Sequence, residues 1–290
     1  AGQTEVLQRK STAPAMQVGA GITLDWTDLN LFESSVAMDG TYHWRASIQS
    51  VDASALRLKV DLSNLHPDDI VRVMDGSGNV STGSYRLVDT TPEGRWLPTV
   101  LGDTAVLWVA SSVDTPPAIT VDTLSHYYES PFLAKGTNPC PIEADCITDP
   151  ALEEVSTGIG RLTVTDDRGT SALCSGALVN NANTDDLEAY FLTANHCFED
   201  IYTGIIFASA LEILWDFRSD GCNGSDPSAT EFAQLPRSTG DTFLQSSTTI
   251  DAMFFTLNEV PVGTRGRAYI GWDAREPQVN EAVVGLHHPG

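Results

Sequence analysis

The chain has 290 residues, 41% hydrophobic and 19% charged, a composition that excludes wholesale disorder and supplies enough length for one large β domain or two ordinary ones. Sixteen Lys and Arg against thirty-nine Asp and Glu leave a net charge of −23, which excludes nucleic acid and anionic membrane as partners because both would be repelled. No apolar run approaches the ~18–20 residues of a membrane helix, and the acidity itself reads as a solubility device.

The sequence begins with Ala1 and carries no signal-peptide pattern, so a targeting segment is expected to have been removed or to lie upstream. Residues 1–24 read as a loose leader. Residues 25–130 read as a β-sandwich. In Tyr42–Gln49, Tyr42, Trp44, Ala46 and Ile48 alternate with His43, Arg45, Ser47 and Gln49. Leu56, Leu58, Val60 and Leu62 alternate in the same way with Arg57, Lys59 and Asp61. Period two marks half-buried strands. Val71–Met74 leads into Asp75-Gly76-Ser77-Gly78-Asn79, a hairpin turn; a calcium loop fails there because its twelfth position is Arg86 where a bidentate Glu is needed. Further strands are expected at Ala105–Val109 and Ile119–Leu124. No constellation of titratable groups gathers in this half.

Residues 131–150, with Pro131, Pro139 and Pro141 around Gly136 and Asn138, read as a linker. Residues 151–290 are again expected to be strand-rich, at Arg161–Thr165, Ala172–Val179, Tyr190–Thr193, Ile213–Phe217, Ala252–Leu257, Ala268–Trp272 and Val283–Leu286, with short helices at most. That spacing favours a barrel. All five cysteines, Cys140, Cys146, Cys174, Cys197 and Cys222, lie in the linker or beyond it. None forms a C-x-x-C pair, so no metal is expected, and their wide spacing points to an oxidising, extracytoplasmic location. An odd count implies a lost partner or a free thiol.

The chemistry concentrates in Leu173-Cys174-Ser175-Gly176-Ala177-Leu178-Val179-Asn180-Asn181 and Tyr190-Phe191-Leu192-Thr193-Ala194-Asn195-His196-Cys197. A bridge from Cys197 back to Cys174 would close a loop of about 23 residues, worth roughly 3 kcal/mol, and would pin the backbone beside His196. An imidazole held in that way suits general-base work. Ser175 lacks a strand-to-helix nucleophile elbow and reads as a packing residue. His287 and His288 are strand neighbours that would face opposite ways, not a metal pair.

These two motifs resemble those around the catalytic histidine of trypsin-like serine endopeptidases, most closely the bacterial lysyl-endopeptidase type. The resemblance extends to Asn138-Pro139-Cys140 through Cys146, similar to that group's mature N-terminus, and to Asp251-Ala252-Met253-Phe254-Phe255-Thr256-Leu257, similar to the strand bearing the triad aspartate. It also takes in Gly285-Leu286-His287-His288-Pro289-Gly290, and runs more weakly through Ser125-His126-Tyr127-Tyr128 into the upstream domain. It implies an all-β protein: an N-terminal sandwich similar to a prosegment, then the first barrel and opening strands of the second barrel of a double β-barrel. It implies peptide-bond hydrolysis of polypeptide substrates without a cofactor, with His196 as base and Asp251 as its orienting acid. It also implies bridges Cys146–Cys222 and Cys174–Cys197, leaving Cys140 unpaired.

The family's nucleophile lies in a Gly-Asp-Ser-Gly stretch, which is absent from these residues. Cys140 to Gly290 is also shorter than the ~200–250 residues of a double barrel. A further C-terminal segment of the same domain is therefore expected, and the polypeptide as given is expected to be inactive. The alternative is a non-catalytic secreted binding protein on a decayed protease scaffold.

Overall fold

The computed structural model describes residues 15–26, 32–132, 142–183, 188–199, 204–276 and 278–288. Among the described residues the fold is all-β with two short α-helices. Nine strands come first: β1 (Met16–Trp26), β2 (Glu33–Val36), β3 (Tyr42–Gln49), β4 (Ala55–Asp61), β5 (Ile70–Asp75), β6 (Arg95–Trp96), β7 (Val100–Leu101), β8 (Thr104–Ser111) and β9 (Thr120–Tyr127). Strands β2, β3, β8 and β5 form one sheet in that order; β1, β9, β4 and β6 lie side by side in the other, with β7 also on β4. Alternation explains the packing. In β3, Trp44, Ala46 and Ile48 are buried while Arg45, Ser47 and Gln49 are exposed. They meet Leu56, Leu58 and Val60 of β4 in one core shared by both sheets. Asp75 ends β5, and its side chain accepts from the N–H groups of Ser77 and Asn79, closing the turn.

The second half contains α1 (Pro150–Ser156), β10 (Ile159–Thr165), β11 (Ser171–Val179), β12 (Tyr190–Thr193), β13 (Glu212–Leu214), α2 (Ala229–Gln234), β14 (Arg237–Ser247) and β15 (Ala252–Leu257). Asp149 caps α1 with Pro150 in its first turn, and Ser228 with Glu231 forms a capping box on α2. The strands run β10-β13-β14-β15-β12-β11, and β11 pairs back onto β10. This closes a six-stranded barrel around Trp215, Phe191 and Phe255. Phe191 stands edge-on to Trp215 at 5.9 Å between centroids. Gly160 and Gly176 leave room for that cluster: a Cβ on Gly176 would lie 2.2 Å from the Phe191 ring.

Three expectations need correction. The loose leader over residues 1–24 gives way from Met16 onward to β1, which pairs with β9 on one side and with β11 on the other. Its glycines hid it, because glycine weakens strand propensity. They are required by the crowding: a Cβ on Gly21 would sit 1.5 Å from the Arg168 carbonyl oxygen. Replacing Gly21 with Ala should therefore destabilise the protein by about 1–3 kcal/mol, seen as a lower urea midpoint.

Arg57 does not face solvent as the alternation of β4 predicts. It is 1% exposed, because the barrel covers that face of the sheet. The expected strands Ala268–Trp272 and Val283–Leu286 do not form: the first meets the end of β11 at a single position, and the second makes no strand pairing among the described residues. Ile270 makes one parallel bridge with Val179, and the rest is irregular.

The two halves share one sheet. The first residues of β11, Ser171 to Leu173, pair with β10 on one edge and with β1 on the other. From Gly176 onward β12 takes the place of β1. A buried polar network crosses the seam beside the apolar cluster of Val18, Ala55, Tyr127 and Leu173. Arg57 donates to the carbonyls of Leu97 and Ala210 and to the Thr165 hydroxyl. Glu212 accepts from Thr99 across the seam and from Arg237 within the barrel.

Candidate active site

The site is built at the end of β12. Thr193 donates its hydroxyl to the Ser175 carbonyl at 2.7 Å, fixing the strand end on β11. A single 3-10 turn, Asn195–Phe198, follows and projects His196 outward. Cys197 is 1% exposed and forms a disulfide with Cys174 on β11, with 6.2 Å between the Cα atoms. The turn is thus anchored on both sides of the imidazole. Asn195 also donates its side-chain amide to Glu199 across the turn.

Asp251 arrives from the turn between β14 and β15. Its backbone is left-handed, with φ of 52°, a conformation that Asp and Asn tolerate better than other non-glycine residues. Its two oxygens divide their work. Oδ1 accepts the His196 backbone N–H at 2.8 Å, and Oδ2 lies 2.7 Å from His196 Nδ1. A carboxylate can only accept, so Nδ1 carries the proton and Nε2 presents its lone pair. Burial pushes the Asp251 carboxyl up, but the hydrogen bonds from His196 outweigh it and hold the group below the usual carboxylate range. A depressed acid contributes stability above its unfolded pKa and loses it as pH falls through the folded value. Asp251 therefore stays ionised at neutral pH. The side chains of His196 and Asp251 are 30% and 29% exposed, so the pair sits at an open surface rather than in the core.

The structure brings His196, Asp251, Cys174 and Cys197 into one place. Cys146 and Cys222 form a second disulfide at a distance in the fold, beside Asp145, which accepts from both Arg218 and Arg265. Cys140 lies outside the described residues. Ser175 is engaged elsewhere: its hydroxyl accepts the His288 N–H at 2.9 Å and approaches the His288 carbonyl at 3.3 Å. His288 packs edge-on against Phe217, and burial, with Arg161 beside it, pushes its pKa down to about 3, so it is neutral. His287 is exposed and donates from Nδ1 to the His288 carbonyl. Thr193 and Asn195 were within the motif that marks His196 but were assigned no role from sequence. Their positions only make sense once the turn is seen.

Residues 135–290, more than half of the chain, match the family model described as "Lysyl endopeptidase, C-terminal domain". A lysyl endopeptidase of Pseudomonas aeruginosa is 24% identical over 300 aligned residues, which take in 94% of this chain. The chain spans 62% of the length of that relative. With the barrel, its disulfides and the histidine turn in place, the match over residues 135–290 assigns the chain to the lysyl endopeptidase family.

Proposed function

We propose that this chain carries the base and the orienting acid of a secreted serine endopeptidase. The observation that carries the reading is the two-point grip of Asp251 on His196, at 2.7 Å and 2.8 Å. In the proposed reaction His196 Nε2 takes the proton from a serine hydroxyl as it attacks the peptide carbonyl, then returns it to the leaving amine. Asp251 holds the tautomer and stabilises the imidazolium. The chemistry proceeds through an acyl-enzyme and asks for no cofactor. Substrates are polypeptides, and cleavage beside lysine rests only on the name of the Pseudomonas relative. Two disulfides support an extracellular location. The charge of −23 argues against nucleic acid and membrane as partners.

The serine would come from a further C-terminal segment of the same domain. Supporting this, Trp272, Val279 and Val283 are 67%, 91% and 85% exposed, apolar surface that a second barrel would cover. The N-terminal sandwich is read as a prosegment-like domain that assists folding of the barrel through β1. The second reading is a binding protein on a decayed protease scaffold. The coding sequence beyond Gly290 decides between them. A Gly-Asp-Ser-Gly stretch there, with activity abolished by His196→Ala in the longer product, is the expected result; a stop codon directly after Gly290 would favour the binding protein.

A further inference from the structure

Arg57 and Arg237 each donate to buried acceptors, but Arg161 does not. It is 2% exposed, and its guanidinium lies over the Phe217 ring, 4.3 Å from the centroid, with no hydrogen-bond acceptor among the described residues. Tyr127, Asp226 and Glu212 temper its charge only from a distance. A second orphan shares that ring. His288 packs edge-on against Phe217 at 5.9 Å, and its Nε2 is buried without a hydrogen-bond partner. We propose that Arg161 and His288 form a receptor for one carboxylate group, with one oxygen on the guanidinium and the other on His288 Nε2.

The fold itself assembles this cluster. Arg161 on β10 is in register with Ser175 on β11, and the Ser175 hydroxyl accepts the His288 N–H. Two distant segments thereby bring their unpartnered groups to the same aromatic ring. Charge selects the ligand. A buried cation without a partner is costly, and a single negative charge cancels it. A phosphate dianion would bury one charge in excess. Chloride has no second acceptor atom to reach Nε2, whereas the two oxygens of a carboxylate serve two donors at once. Burial and then the Arg161 charge hold His288 neutral, so it contributes an N–H dipole from its Nε2 tautomer and not a second charge.

The cover over the pair is thin. His288 belongs to an irregular segment in which Val283, Val284 and His287 are exposed, so a small ion enters where that segment lifts from Ser175. The carboxylate comes either from a free ion or from an acidic side chain of a further segment of the domain. The chemistry at Arg161 is the same in both cases, and it does not depend on the endopeptidase reading.

The test uses the 290-residue chain at neutral pH, in sodium formate and in sodium chloride of equal ionic strength. Formate at about 0.1 M should raise the thermal midpoint by about 2–4 °C over chloride. It should also move the His288 Nε2 resonance to a saturating value in nitrogen-15 side-chain spectra. Arg161→Met should abolish both effects. Should that variant fail to fold, His288→Phe, which keeps a ring against Phe217, must weaken formate binding about tenfold, the cost of one hydrogen bond. Equal stabilisation in Arg161→Met, or a His288 resonance that does not saturate, would mean a general salt effect and overturn the proposal. Unchanged formate affinity in His288→Phe would overturn it too. A longer product separates the two sources: loss of the formate effect there identifies an acidic side chain of the chain as occupant, and its persistence identifies the free ion.

Discussion

Replacing Glu212 with Ala should destabilise the protein by about 3–5 kcal/mol, the cost of leaving a buried charge without its partner. Glu212 is 2% exposed on β13, where one oxygen accepts from the Thr99 N–H and from Arg237 Nε and the other from the Thr99 hydroxyl. Burial raises its pKa, but Arg57, Arg237 and the Thr99 bonds overcome this and hold it below the usual range. Three buried arginines belong to this seam. Arg57 and Arg237 lie beside Glu212, and Arg161 stacks on Phe217 at 4.3 Å with no ion pair among the described residues. Burial pushes Arg161 down to about 10. Removing the one carboxylate leaves Arg57 and Arg237 repelling in a low-dielectric layer. The sign in pH follows: the Glu212 contribution is present at neutral pH and is lost only as pH falls through its depressed folded pKa. Denaturant midpoints with unchanged slope would measure the loss. A cost under about 1 kcal/mol would mean that water reaches the seam. The double variant Glu212→Leu/Arg237→Met should recover most of the loss, because apolar replacement of a whole buried pair is often neutral.

That network was not legible in the sequence, and the reason is physical. Alternation in Leu56-Arg57-Leu58-Lys59-Val60 says which residues share a face, not what covers the second face. Here the barrel covers it, and Arg57 becomes a buried hub whose acceptors lie 108 and 153 residues further along the chain. The core faces of β3 and β4 were legible because one side of a sandwich must be apolar whatever packs outside it. β1 was missed for the opposite reason: Gly19 and Gly21 remove the pattern at the point where β9, β11 and the β10–β11 turn crowd the strand. His196 could be found because the motif that marks it, Leu192 to Cys197, is contiguous in the sequence. The left-handed backbone of Asp251 could not, since it is set by a turn between two strands and by the imidazole that its carboxylate must reach.

The 290-residue polypeptide, made as given, should hydrolyse no peptide amide above background. In the proposed reading His196 and Asp251 are a base and its orienter, and a base needs a hydroxyl to deprotonate. Ser175, Cys174 and Cys197 of the two histidine motifs are committed elsewhere. Ser175 is bonded to the backbone of His288, while Cys174 and Cys197 are joined to each other. Loss of a triad serine costs about a millionfold in turnover, and the remainder comes from oxyanion donors and substrate binding. A serine-directed fluorophosphonate probe with unblocked peptide amides as substrates would measure this directly. No labelling and no turnover are expected, in the presence or absence of Asp251→Asn. Labelling that disappears in His196→Ala would place an unrecognised nucleophile beside the imidazole. The proposal that the serine comes from a further segment would then fall, while the two-point grip of Asp251 on His196 would remain the machinery that activates it.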